Sequence, residues 1–161
     1  MSTGIEAYET NILKTVVVRF SPGVDIFKGL REVCSEKGIT SGTIITMLGS
    51  LRSATLVCVT PDFTRETGAR YFDPIEIEGP LELIGAQGMI GLEDGGISIH
   101  LHGTVGTDEM APIAGHIVDN GRTLVLATME IVIQGFGSVD LIRSYDEETE
   151  FVRFDIKKKT E

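Results

Sequence analysis

The chain has 161 residues, the length of one ordinary domain, and apolar residues make up 42% of it, which is enough for a buried core. Its 14 basic and 24 acidic residues give a formal net charge of −10, which disfavours nucleic-acid phosphates and anionic membranes as partners. No apolar run reaches the roughly 18 to 20 residues of a membrane span, and the N-terminus lacks a signal-peptide pattern, so we expect a cytoplasmic protein.

The first part of the chain predicts a strand, a helix and two more strands. A β-branched run predicts a buried strand over residues 12–20. Asp25 is suited to cap a helix that ends at about Lys37, before a glycine. The apolar segments 42–48 and 54–60 then predict two strands, and the short turn between them makes them antiparallel neighbours.

The middle of the chain predicts a loop followed by a bent hairpin. Segment 61–74 mixes charged and aromatic residues without a clear period, which is typical of a surface excursion, either a plain connection or a functional loop. Residues 75–78 and 81–92 predict a strand that Pro80 and several glycines bend. The sequence E-D-G-G at residues 93–96 predicts a tight turn into a paired strand.

The segment 124–134 is so apolar that we expect a central strand, in which Glu130 is a buried carboxylate that needs a partner. Glu130 either accepts a hydrogen bond from a metal-binding histidine or reaches an arginine or the surface. Residues 141–145 and 151–156 predict a closing hairpin, followed by a short basic tail.

These elements together predict one domain over residues 1–161, with flexible ends at 1–10 and 157–161. One main N-terminal helix and about eight strands in hairpin succession indicate an α+β fold with a mixed, mostly antiparallel sheet. Cys34 and Cys58 stand singly, so we expect both to be small core residues in a reducing compartment.

All three histidines of the chain lie within residues 100–116. Side chains alternate along residues 97–105, so His100 and His102 share one face of a strand. Two strand residues advance by about 6.6 Å, which lets two imidazoles converge on one ion. His116 follows a loop of about eight residues, long enough to return it beside this strand.

Three imidazoles with an open fourth position predict a site for a divalent transition metal of the zinc type, although nickel, iron and copper accept the same ligands. An H-x-H pair on a half-polar strand also fits two solvated or hydrogen-bonded histidines, so this alternative stays open.

Two classes of function remain possible. The first is a metal-binding or regulatory module whose partner is a protein or, indirectly, DNA. The second is a small metal-dependent enzyme that acts on a small molecule through the open coordination position. Its candidate proton carriers are Glu130, Glu109 and Asp108, and Arg52 is a candidate anion clamp. The sequence lacks a phosphate loop, a dinucleotide-binding glycine motif and a serine nucleophile elbow.

A series of short motifs in one order runs through most of the chain. Residues 38–56 read G-I-T-S-G-T-I-I-T-M-L-G-S-L-R-S-A-T-L, after a matching stretch at 30–34. G-P-L-E-L-I follows from Gly79, H-L-H stands at residues 100–102, G-H-I-V begins at Gly115, and D-E-E-T lies near residue 146. In this order and spacing the chain resembles the plants-and-prokaryotes-conserved (PPC) domain, which plants carry behind an AT-hook and prokaryotes carry alone.

The resemblance implies a homotrimer of α+β subunits. As in some prokaryotic members, it also implies a metal ion held by His100, His102 and His116. Prokaryotic members are linked to DNA by association with the plant proteins, but this chain has no R-G-R-P hook. The plant G-R-F-E-I segment appears here as G-P-L-E-L at residues 79–83. Because of these departures and the negative charge, we expect no direct binding to duplex DNA.

Overall fold

The computed structural model describes residues 4–159, so the outermost parts of the ends predicted to be flexible, residues 1–3 and 160–161, lie outside the described residues. Within residues 4–159 the chain forms ten strands and one helix. In chain order these are β1 (Ile12–Phe20), α1 (Ile26–Lys37), β2 (Gly42–Val57), β3 (Val59–Pro61), β4 (Ala69–Tyr71), β5 (Ile75–Glu93), β6 (Gly96–Gly106), β7 (Pro112–Ile117), β8 (Leu124–Phe136), β9 (Val139–Asp146) and β10 (Phe151–Lys158).

Eight of these strands form one sheet in the order β1-β8-β2-β7-β6-β5-β9-β10. Neighbours in it are antiparallel except β5 and β9, which pair in parallel at Leu92 and Ile142. Strand β2 also pairs with β5, so β2, β7, β6 and β5 form a closed cycle of hydrogen-bonded strands. The predicted α+β class, with one helix and a mixed, mostly antiparallel sheet in a single domain, is confirmed.

The helix begins and ends where its capping residues predict. The Asp25 side chain accepts a hydrogen bond from the Lys28 backbone N–H at 2.9 Å, and Gly38 adopts the left-handed conformation that closes the last turn. Leu30 and Cys34 face the core and are fully buried, and burial raises the pKa of the Cys34 thiol to about 11. Cys58 is only half-buried, contrary to expectation, and its thiol donates to the Ala114 carbonyl oxygen at 3.3 Å.

The prediction of two antiparallel strands at 42–48 and 54–60 is wrong, because residues 42–57 form the single long strand β2 and residues 59–60 belong to the short strand β3. The chain does not reverse between them, since both segments pair with the same partner, β5, in one continuous direction. Gly49 lies at the predicted turn, and a Cβ atom there would stand 2.2 Å from the Thr128 carbonyl oxygen. Glycine at this position therefore allows β2 and β8 to approach closely, rather than making a turn.

Segment 61–74, predicted as a loop without regular structure, contains part of a small hairpin. Strands β3 and β4 pair through Val59 with Tyr71 and Thr60 with Arg70. Asp62 orders the turn by accepting hydrogen bonds from the Thr64 backbone N–H and hydroxyl. The hairpin places Tyr71 of this segment next to His116 on β7, with ring centres 5.9 Å apart.

The basic tail is held to the sheet as far as the described residues extend. Lys157 and Lys158 belong to β10, and the Lys159 backbone N–H donates to the Ser138 carbonyl oxygen at 3.0 Å. The Lys159 ammonium lies 3.4 Å from the Asp140 carboxylate, so part of the basic charge is paired. Among residues 4–159, no helix combines the length and apolarity that a bilayer span requires.

Candidate metal centre

Strand β6 presents its apolar and imidazole side chains on opposite faces, as its alternation predicts. Ile99 and Leu101 are buried in the core, at 3% and 0% exposure. His100 and His102 project from the other face, where His100 is half-buried and His102 exposed. The hydrophobic burial of the first pair therefore fixes the direction in which the two imidazoles point.

The turn between β5 and β6 sets the register of the histidine strand. Asp94 and Gly95 both have positive φ angles, 50° and 80°, as a two-residue hairpin turn of this kind requires. This turn places Met89 opposite His100 and Gln87 opposite His102. The predicted pairing of the histidine strand with the preceding strand is thus confirmed.

His116 returns to the histidine strand by direct strand pairing. The connection is shorter than the predicted eight residues, because β6 continues to Gly106 and β7 already begins at Pro112. In the antiparallel pairing of these two strands His116 lies opposite His102. Gly115 permits this packing, because a Cβ atom there would stand 2.6 Å from the Val57 carbonyl oxygen on β2.

The three imidazoles form a compact cluster. One nitrogen from each ring lies within 4.8 Å of those of the other two, and the Nε2 atoms of His100 and His102 are 2.9 Å apart. A tetrahedral ion with bonds of about 2.0 to 2.1 Å needs ligand nitrogens about 3.3 Å apart, a spacing near that of this cluster. His116 Nδ1 is buried without a hydrogen-bond partner, and ligation of a metal is one way to satisfy such an atom.

The cluster favours neutral imidazoles. Burial, followed by the charges of His102 and Arg143, lowers the pKa of His100 from 6.5 to about 4. Burial is also the main cause for His116, whose pKa falls to about 4, with smaller contributions from the other two histidines and Arg143. Both rings are therefore uncharged at pH 7, the protonation state in which imidazole binds metals.

Sequence reasoning missed Arg143, whose positive charge helps to lower the pKa of both His100 and His116. Its Nη1 donates to the Ser98 hydroxyl at 3.0 Å and lies 3.9 Å from the Glu93 carboxylate. The guanidinium also lies 5.8 Å from the centre of the Phe154 ring, which stacks on His100 at 6.2 Å. No sequence motif marks Arg143, because the parallel pairing of β9 with β5 brings it here.

Glu130 does not lie in a buried environment, so this expectation is corrected. Strand β8 is interior to the sheet, but only one of its faces is covered. Met129 and Ile131 are buried on that face, whereas Glu130 is exposed on the other. Its carboxylate accepts a hydrogen bond from the Thr128 hydroxyl at 2.6 Å and needs no charged partner. The outcome matches the alternative in which Glu130 reaches the surface.

The other candidate catalytic residues also lie outside the cluster. Asp108 and Glu109 are exposed in the loop after β6, and Arg52 is exposed on β2. Neither these three residues nor Glu130 borders any of the three cavities that the histidines border. The structure therefore brings together the three predicted metal ligands but none of the predicted proton carriers.

The fold and the cluster define an α+β protein with three histidines on adjacent strands. The sequence model of the Plants and Prokaryotes Conserved (PCC) domain, which is also abbreviated PPC, matches residues 7–137. The chain belongs to this family, as its motifs predict. A comparison with curated proteins found no match.

Several solved structures share the fold over nearly the whole chain. A metal-containing protein from Archaeoglobus fulgidus has a TM-score of 0.77 at 23% identity, covering 93% of this chain and 99% of its own. A candidate DNA-binding protein from Bacteroides thetaiotaomicron has a TM-score of 0.74 at 26% identity, covering 92% and 96%. A PPC protein from Pyrococcus horikoshii has a TM-score of 0.73 at 21% identity, covering 98% and 99%.

Proposed function

We propose that this chain is a metal-binding module of the PCC family in which His100, His102 and His116 hold one divalent transition ion. The observation that carries the proposal is the convergence of three ring nitrogens within 4.8 Å on two paired strands. A set of three neutral nitrogen ligands suits zinc, which commonly takes tetrahedral sites of this kind. The relative from Archaeoglobus fulgidus is described as a metal-containing protein, which supports a metal site without naming the metal.

The metal content of the purified protein tests this proposal. Protein prepared without chelator should contain about one zinc ion per subunit by elemental analysis, and His102→Ala should contain almost none. Thr104→Ala is the matched control, because Thr104 follows His102 on the same face of β6 and is not a metal ligand. Equal and negligible metal in all three proteins would reject the site.

A second candidate function is metal-dependent catalysis on a small molecule. Among the described residues the cluster has three members and no fourth protein ligand, and a cavity of about 340 Å³ borders His100 and His116. Catalytic metal sites keep such an open position, whereas structural sites are closed by a fourth ligand. When bound, the ion would supply Lewis acidity. The chain's own contribution would be to orient a ligand beside it.

We further propose that the chain assembles as a homotrimer, as its family resemblance implies. Three large apolar side chains, Ile45, Leu48 and Ile84, are 47%, 48% and 56% exposed and border one cavity together with His102. Burial of this patch by neighbouring subunits would remove apolar surface from water. The histidine cluster would then lie next to a subunit interface.

We do not propose direct DNA binding, although one relative is described as a candidate DNA-binding protein. The net charge is −10 per subunit, and a trimer would carry three times that charge. Part of the basic tail is also neutralised, because Lys159 pairs with Asp140. A role near DNA would therefore depend on a partner protein.

A further inference from the structure

A cavity of about 340 Å³ lies beside the histidine cluster. His100 and His116 border it, together with Arg143 from β9 and with Arg65 and Arg70 from the β3–β4 hairpin. Its volume is near the lower end of the range of about 300 to 1,000 Å³ that is typical of small-molecule sites.

Three guanidinium groups meet at this cavity in a strongly acidic chain. Arg65 and Arg70 both face the single carboxylate of Asp62, at 3.8 and 3.7 Å, so their two charges are only half balanced. Arg143 lies 3.9 Å from Glu93, and its buried Nε has no hydrogen-bond acceptor. The three guanidinium groups therefore offer more donors than their protein partners accept.

One acidic residue, Glu150, also borders the cavity, and its Oε2 is buried without a hydrogen-bond partner. With Asp62 and Glu93, which lie outside the lining, Glu150 balances the three arginine charges of this region. The wall of the cavity itself nevertheless presents three guanidinium groups and one carboxylate, so its hydrogen-bond donors favour an anionic ligand.

The cavity also has aromatic walls. Tyr71 and Phe151 pack edge to face with ring centres 5.3 Å apart, and Tyr71 lies 5.9 Å from His116. Tyr145 and Val152 add further apolar surface to the lining. Such walls favour a ligand with an apolar part, which an inorganic ion lacks.

We propose that this cavity binds a small organic acid, with its carboxylate on the arginines and its apolar part against the aromatic side chains. Guanidinium groups bind carboxylates through paired, charge-assisted hydrogen bonds. The site goes beyond the proposed metal function, because the arginines hold the acid whether or not the histidines hold a metal.

Calorimetric titration with benzoate tests the proposal, with benzamide as a neutral ligand of the same shape and inorganic phosphate as an anion without an apolar part. Benzoate should bind both the metal-free and the zinc-loaded protein, at least about tenfold more tightly than benzamide or phosphate, a difference of about 1.4 kcal/mol. Equal binding of benzoate and benzamide, tighter binding of phosphate, or no binding of benzoate would overturn it.

Substitution of the two arginines of the β3–β4 hairpin identifies the site. Arg65→Gln combined with Arg70→Gln should weaken benzoate binding at least about tenfold. Arg19→Gln removes one charge from an exposed position on β1, at the other end of the sheet order, and should leave binding unchanged. Circular dichroism and thermal unfolding check that each variant folds. If benzoate bound only the zinc-loaded protein, and the arginine substitutions left its affinity unchanged, the metal and not the arginines would bind the acid. The proposal would then fail, while the metal site would stand.

Discussion

His102 and His116 lie directly opposite each other in the antiparallel pairing of β6 and β7. Side chains opposite each other on paired strands stand about 4.5 to 5.5 Å apart at Cβ, which is close enough for two imidazoles to meet at one ion. His100 joins them from the same face of β6, so two strands supply all three proposed ligands. Rigid strands hold such a site more precisely than loops do.

The first prediction is that metal stabilises the fold. Zinc at about 100 times its dissociation constant should raise the free energy of unfolding by about 2.7 kcal/mol, because the ion binds the folded state and not the unfolded one. Chemical denaturation with and without a chelator measures the difference. His102→Ala should show no response to zinc, whereas an equal response in both proteins would place the stabilising ion elsewhere.

The second prediction concerns the stability of the metal-free protein at low pH. The folded-state pKa of both His100 and His116 is about 4, below the ordinary value of 6.5, so the unfolded chain binds more protons between these values. The free energy of unfolding should therefore fall as the pH is lowered from about 7 to about 4.

Denaturant unfolding across this pH range, with His100→Gln/His116→Gln as the comparison, measures the histidine contribution. Hydrogen bonds from Thr64 and Thr149 lower the pKa of Asp62 and Asp146, so protonation of these carboxylates also destabilises the fold at low pH. This contribution is the same in both proteins. The difference in unfolding free energy between them therefore isolates the histidines. The double variant should lose less stability between pH 7 and 4. Parallel curves would contradict the prediction.

The third prediction is that the apolar patch mediates self-association. The native chain should have three times its subunit mass of 17.4 kDa by light scattering, and Leu48→Asp should dissociate it, because a carboxylate would be buried without a partner. Ile5→Asp is the control, since Ile5 is exposed outside any strand. A stable native monomer at micromolar concentration would reject the trimer.

The fourth prediction is that the protein does not bind random duplex DNA with an affinity tighter than about 10 µM at about 150 mM salt. Such binding relies on neutralising phosphates, and the strongly negative chain opposes the encounter. Fluorescence anisotropy with labelled duplex measures it. Sub-micromolar, salt-sensitive binding that Lys157→Gln/Lys158→Gln abolishes would instead show that the basic tail binds DNA.

The fifth prediction concerns Gly88, which supports the histidine strand. A Cβ atom at this position would stand 2.0 Å from the His100 carbonyl oxygen, so Gly88→Ala should push β5 and β6 apart. We expect a loss of about 1 to 3 kcal/mol in unfolding free energy and weaker zinc binding. Gly85→Ala on the same strand is the control, because its Cβ would meet no atom within 4 Å. Equal losses in both variants would show that the clash is relieved.

Local patterns in the sequence determined the helix, the turn at Asp94 and the shared face of His100 and His102. Each depends on neighbours in the chain: a capping side chain, a turn that requires positive φ angles, and alternation along a strand. The motifs spread along the chain also identified the PCC domain. The local patterns, however, do not specify which strands of that fold pair with each other.

The tertiary structure alone decided how distant segments meet. It joined residues 42–57 into one strand where two were predicted, because the pairing of β2 with β5 continues across residues 49–53. It exposed Glu130, since an interior strand can have one uncovered face. It also brought Arg143 beside His100 and His116 through the parallel pairing of β9 with β5, and placed the separate β3–β4 hairpin at the same cavity. Such contacts depend on how the whole core packs, and no local pattern encodes them.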